Sequence, residues 1–297
     1  MSHLVSATEL AHQIEDVVVI DVRWTLTTAG ADQPGPAEYA AGHVPGAFFA
    51  DLDTELAAPP GEGGRHPLPD PAVVERVLRR CGVSEGTRVV VYDGKESYAA
   101  GRAWWVFRWV GLRDVRVLDG GFAAWVAAGL PVSTEVPEPH HGAFVARPGS
   151  MPTVDAEGAA QLARTGLLLD ARAPERFAGE QEPIDPVAGH IPGAMNSPTT
   201  EWLGDDGRFR RDLSDHWASV AGDQANGDVA VYCGSGVTAA HHVLALAELG
   251  VDAALYPGSW SEWIRDPSRP VAGDRPPNRV NSFRSLRPRK LFTRSGH

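Results

Sequence analysis

The sequence predicts an α/β protein of two tandem domains, each a mainly parallel sheet flanked by helices, and three observations carry that prediction. The chain has 297 residues, about twice the common domain size of ~100–150. Four motifs recur in the same order. Asp21-Val22-Arg23 returns as Asp170-Ala171-Arg172, and Ala41-Gly42-His43-Val44-Pro45-Gly46-Ala47 as Ala188-Gly189-His190-Ile191-Pro192-Gly193-Ala194. Val90-Val91-Tyr92-Asp93-Gly94 matches Ala230-Val231-Tyr232-Cys233-Gly234, and Gly120-Gly121-Phe122-Ala123-Ala124-Trp125 matches Gly258-Ser259-Trp260-Ser261-Glu262-Trp263. The offset stays near 140 to 150 residues, so one domain is written twice. Each copy also alternates short β-branched runs with helical stretches, the pattern of a parallel sheet with crossover helices.

In the first copy, 1–135, Val17-Val18-Val19-Ile20 and Arg88-Val89-Val90-Val91-Tyr92 read as buried strands. Helices are expected over 73–80 and 98–110. Cys81 ends the first of these, before Gly82, as a small residue packing near a C-cap. The stretch 131–152 is rich in Pro, Gly and His without an apolar period, and its part 136–152 is assigned as the linker. Its His140-His141 pair is expected to be solvated rather than metal-binding. In the second copy, 153–274, Leu167-Leu168-Leu169 and Asp228-Val229-Ala230-Val231-Tyr232 supply strands, and 237–249 a helix ending at Gly250. Beyond it, 275–297 carries Arg279, Arg284, Arg287, Arg289, Lys290 and Arg294 with no acid, the composition of a disordered or loosely docked basic tail.

Hydrophobic residues make up 43% and charged residues 22%, enough to build a globular core. A net charge of −11 repels nucleic acid and anionic membrane, so neither is an expected partner. The N-terminal residues lack a basic segment followed by an apolar run, and no apolar stretch is long enough to span a bilayer. A cytoplasmic location is expected. Two cysteines, Cys81 and Cys233, are too few for a disulfide scaffold and fit a reducing compartment. No Cys/His cluster has ligand spacing, so neither metal nor organic cofactor is expected.

The duplication acts as a filter: features in both copies are requirements of the fold, and features in one copy are candidates for chemistry. Asp-x-Arg, Gly-His-x-Pro-Gly-Ala and the Trp segments fall in the first class. Cys233 falls in the second, because the first copy has Asp93 in its place. It opens the loop Cys233-Gly234-Ser235-Gly236-Val237-Thr238, between a strand and a helix N-terminus, where backbone amides converge and favour a thiolate. Gly234 and Gly236 let the backbone curl around the sulfur, and the same amides suit a persulfide anion. A small buried residue closing a strand is the competing reading of Cys233. Phosphate hydrolysis is disfavoured, since the arginine a cysteine phosphatase needs at 239 is Ala239. A phosphate loop at Asp93-Gly94-Lys95-Glu96-Ser97 lacks its upstream glycine, which is Val89.

These motifs resemble the tandem-domain rhodanese family over the chain to about residue 274, most closely its 3-mercaptopyruvate branch. The thiosulfate branch places two basic residues where this chain has Gly234 and Ser235. The resemblance implies a silent first domain and a catalytic second one. It also implies that Ser235 works with His66 and Asp53 reaching in from the first domain, and that Arg176 holds the substrate carboxylate, as arginine's planar fork suits. A loop histidine on the surface competes with that role for His66, as an exposed charge beside a helix does for Arg176. Asp51 is expected to point away. A second arginine common in that branch is Ile184 here, which leaves an anion contact unfilled unless another cation takes the place.

The implied reaction is sulfur transfer from 3-mercaptopyruvate through a Cys233 persulfide to a thiol acceptor such as thioredoxin, or to cyanide, with Gly234, Gly236, Val237 and Thr238 lining the substrate. The rivals are the same chemistry with thiosulfate as donor, and a persulfide carrier with little turnover of small donors.

Overall fold

The structure, a computed structural model, describes residues 2–26, 33–139, 141–225 and 227–273. The expected tail at 275–297 and His140 lie outside the described residues. Strands β1 (Leu4–Val5), β2 (Val18–Asp21), β3 (Phe48–Phe49), β4 (Val89–Tyr92) and β5 (Val115–Leu118) form the first sheet, in the order β1-β5-β4-β2-β3, with every pair parallel. Strands β6 (Leu167–Asp170), β7 (Met195–Asn196), β8 (Val229–Tyr232) and β9 (Ala253–Leu255) form the second, β7-β6-β8-β9, also parallel. Thr153 bridges Leu255 in parallel, which places it where β1 stands in the first sheet. The two domains therefore share one topology, as the repeat predicts. All four residues of β4 and of β8 are buried, because parallel strands are covered on both faces.

The motifs present in both copies brace the sheets. Arg23 pairs with Asp21 at 2.7 Å and donates to the Gly42 carbonyl, and Tyr92 Oη donates to the same Asp21 carboxylate. Arg172 repeats this with Asp170 at 2.6 Å and the Gly189 carbonyl. These buried charges are tolerated because each guanidinium finds a carboxylate and a carbonyl together.

The predicted helices are observed as Pro71–Arg80, Tyr98–Trp109 and Val237–Glu248. The last two are buried on nearly every side and so do not lie on a surface. They pack against each other and join the domains. A Cβ on Gly101 would stand 2.7 Å from His241 Cα, so glycine permits the close crossing. One apolar cluster, with Trp104, Trp105, Trp202 and Leu244 among its members, runs through both domains. The segment 136–152 carries no helix or strand among its described residues. It is nevertheless strapped to the first domain: Gly142, Phe144 and Arg147 amides donate to the Arg79, Val83 and Val110 carbonyls. His141 is exposed. Cys81 caps its helix, fully buried, and burial pushes its thiol up to about 12. No described helix is long and apolar enough to cross a membrane.

Candidate active site

Cys233 follows β8 directly, and the helix Val237–Glu248 starts four residues on. The intervening loop turns at Gly236, whose φ of 80° and contact with the Pro257 carbonyl, 2.5 Å from any added Cβ, both demand glycine. The Gly236 amide donates to Cys233 Sγ at 3.1 Å. From beneath, the loop is held by the segment after β9. The Cys233 amide donates to Ser259 Oγ at 3.1 Å, while the Trp260 and Ser261 amides donate to the Cys233 and Gly234 carbonyls. Ser259 has a φ of 54°, a left-handed conformation costly for a non-glycine residue. Its hydroxyl also donates to the Tyr256 carbonyl, which helps hold it there. Sequence reasoning filed Ser259 with the fold motifs, and its support of the cysteine was not legible.

The first copy shows what such a loop holds. Asp93, at the position of Cys233, accepts from the amides of Lys95, Ser97, Ala99 and Ala100 at 3.0–3.2 Å. Even so, burial outweighs these bonds and raises its carboxyl to about 6. At the offset set by Asp93 and Cys233, the equivalent amides belong to Ser235, Val237, Ala239 and Ala240. The loop of the first copy thus gathers amides on one side chain, whereas in the second copy the amide that reaches the sulfur is that of Gly236, the counterpart of Glu96. Val237 is buried and Thr238 part-buried at the helix start.

Three of the predicted residues meet across the domain boundary. Ser235 Oγ lies 2.8 Å from His66 Nδ1, and His66 Nε2 lies 3.3 Å from Asp53 Oδ1. A carboxylate accepts only, so Nε2 carries the proton and Nδ1 accepts from the serine. Trp24 Nε1 also donates to Asp53 at 2.9 Å, and its ring packs edge-on against His66. Burial opposes ionisation of Asp53, but hydrogen bonds from His66 and Trp24 outweigh it and hold the carboxyl below its ordinary range. Asp51 points away, its side chain capping the helix Leu52–Glu55 through the Thr54 amide.

Arg176, in the helix Pro174–Phe177, pairs with Glu182 at 2.8 Å and Asp185 at 3.0 Å. Asp185 also pairs with Arg65. A Cβ on Gly234 would meet Arg65 Nη2 at 2.7 Å and both terminal nitrogens of Arg176 at 3.5 Å. Two guanidiniums therefore flank the cysteine loop, and glycine at 234 leaves the space between them. A second guanidinium, that of Arg65 from the first domain, stands beside Gly234 with Arg176, where Ile184 had left room for another cation. Ile184 itself is 40% exposed. Arg65 escaped sequence reasoning, although it directly precedes His66, because nothing local shows which way a loop side chain turns. Its amide donates to Ser261 Oγ at 3.0 Å, and Gly64 beside it lies too close to the Gly258 carbonyl for a Cβ.

A family model described as a rhodanese-like domain matches residues 6–128 and 155–266. The chain is 45% identical over 281 residues to a probable 3-mercaptopyruvate sulfurtransferase of Pseudomonas aeruginosa, covering 91% of this chain and 98% of that one. It is 46% identical over 284 residues to the putative thiosulfate sulfurtransferase SseB of Mycobacterium tuberculosis, covering 90% and 96%. Among solved structures it resembles SseA of Escherichia coli, described as a 3-mercaptopyruvate sulfotransferase of rhodanese fold. The TM-score is 0.75 at 33% identity, over 88% of this chain and all of that one.

Proposed function

The chain belongs to the rhodanese family of sulfurtransferases, and from that premise we propose that it takes sulfur from 3-mercaptopyruvate onto Cys233 and passes it to a thiol acceptor. The observation that carries this reading is the Ser235–His66–Asp53 chain closing on the cysteine loop. Cys233 thiolate attacks the donor sulfur and a sulfur–sulfur bond forms. The carbon–sulfur bond breaks with its electron pair left on carbon, as the enolate of pyruvate. The proton first carried by the donor thiol ends on that carbon, and Ser235 backed by His66 is the group placed to move it. The product persulfide anion is held by the loop amides, and a thiol such as thioredoxin, or cyanide in an assay, removes its outer sulfur. Thiosulfate needs no such relay, because sulfite leaves as a stable anion, so the proton chain favours the mercaptopyruvate reading.

Arg65 and Arg176 hold the donor carboxylate in this scheme. Arg65→Met and Arg176→Met are each expected to raise KM for mercaptopyruvate by about 10- to 150-fold, the worth of one charged hydrogen bond of roughly 1.5–3 kcal/mol. Steady-state pyruvate release checks this. A KM unchanged in the Arg65 variant removes that residue from the clamp.

The reading itself is tested by comparing sulfur transfer to cyanide from 3-mercaptopyruvate and from thiosulfate, with intact mass of the donor-treated protein. A higher kcat/KM for mercaptopyruvate and one added sulfur on Cys233 are expected. Thiosulfate preference overturns the donor assignment. A persulfide that forms without turnover makes the protein a carrier.

A further inference from the structure

Arg102 is fully buried in the helix Tyr98–Trp109 of the first domain, whose own loop carries Asp93 in place of Cys233. It faces no ion-pairing carboxylate among the described residues. Its guanidinium bonds only to carbonyls: Nε to Leu56 at 3.3 Å, Nη2 to His66 and Pro67 at 3.1 Å, and Nη1 to Gly236 at 3.3 Å. The last of these belongs to the loop residue whose amide donates to Cys233 Sγ. Carbonyl oxygens satisfy the donors of a buried cation but do not neutralise it. Burial lowers the pKa of Arg102 to about 10, and the charge that opposes this is that of Cys233.

The duplication adds a second, independent observation. Arg102 lies nine residues after Asp93, and the residue nine after Cys233 is His242. His242 is buried, bonds through neither ring nitrogen among the described residues, and is held neutral by burial. The two crossing helices are therefore asymmetric in charge at matched positions. The cation is supplied by the domain without the cysteine to the loop that has it.

We propose that Arg102 is the counter-cation of the Cys233 thiolate and persulfide, delivered across the domain boundary, and that the first domain is thereby half of the reactive centre. The idea rests on the sulfurtransferase reading for the persulfide, but its thiolate half stands on the geometry of this loop. The other charged groups near Cys233 are placed differently. Arg65 and Arg176 flank Gly234 and are paired by Asp185 and Glu182, His66 acts through Ser235, and His241 and His242 are uncharged. Arg102 is a positioning residue that also sets the charge of the site.

The test is the pH dependence of Cys233 alkylation by iodoacetamide, which needs no sulfur donor and so fails or succeeds apart from the donor assignment. Cys81, whose thiol is pushed up to about 12 by burial, serves as the unreactive control. Arg102→Gln keeps an amide that can donate to two of the four carbonyls and removes the charge, and its alkylation midpoint is expected to move up by about 1 to 3 pH units. Arg102→Lys keeps the charge, and its midpoint is expected to stay close to that of wild type. A folded Arg102→Gln protein with an unchanged midpoint overturns the proposal, as does a Lys variant shifted as far as the Gln variant. Should Arg102→Gln not fold, Cys233→Asp and Cys233→Asn are compared on the wild-type background. The carboxylate variant is expected to melt higher than the amide variant at pH 8. A carboxylate variant that melts no higher overturns the proposal.

Discussion

His66→Ala is expected to lower turnover of 3-mercaptopyruvate by about 100- to 10,000-fold, the range in which a positioned acid or base contributes, while Cys233 stays open to alkylation. The geometry sets this expectation. His66 Nδ1 is 2.8 Å from Ser235 Oγ, and its other nitrogen is fixed by Asp53. Without the imidazole, the serine hydroxyl has no partner to take up or resupply its proton when the enolate forms. Ser235→Ala removes the same step, so the double variant is expected to cost little more than either single change, as groups acting as a unit do. Asp53→Asn leaves the shape and alters the tautomer that His66 presents, and belongs in the same range. Pyruvate release at saturating donor measures all three. A His66→Ala enzyme with wild-type turnover removes the relay from the mechanism.

Acidification from pH 7 to pH 5 is expected to destabilise the fold by more than about 1 kcal/mol, and the domain boundary is where the loss arises. His241 and His242 are buried in the helix Val237–Glu248. His241 bonds to Thr199 through Nδ1, and Nε2 has no partner among the described residues. Burial lowers the His241 pKa to about 3 and holds His242 well below its ordinary value. In the unfolded chain both titrate at the ordinary 6.5. Between pH 6.5 and 3 the unfolded state therefore binds more protons, and stability falls as pH falls through that window. For His241 the loss from pH 7 to pH 5 is about 2 kcal/mol by linkage, and His242 adds in the same direction. Asp93 works the other way, since its raised pKa of about 6 stabilises the fold on acidification by about 1 kcal/mol. It does not cancel the pair. Urea unfolding at the two pH values checks the sum, and His242→Phe is expected to flatten the profile. A profile equally steep in that variant clears His242 of the effect.

The sequence alone determined the two-domain α/β architecture, because a repeat in register needs no coordinates to be seen. It also determined the long helices, whose apolar runs exceed what a turn or strand can hold, and Cys233, which the repeat singled out against Asp93. Strand edges moved by a residue: β2 was expected to end at Ile20 and runs to Asp21, because the carboxylate is satisfied within the sheet by Arg23 and Tyr92. The two-residue strands β1, β3 and β7 are too short to show a period. Ser235, His66, Asp53 and Arg176 were named through family resemblance rather than spacing. The tertiary structure brought the first three into one chain and set Arg176 beside Gly234. What only the tertiary structure decided is which distant groups meet: Arg65 turned toward Gly234 and Arg102 behind Gly236, both across the domain boundary, and Ser259 under the cysteine within the second domain. The physical reason is common to them. Strands and helices are specified by neighbours a few residues away, which a sequence displays. A charge or hydroxyl is specified by the group it meets, and here that group lies on another loop or the other domain, more than twenty residues away in the chain.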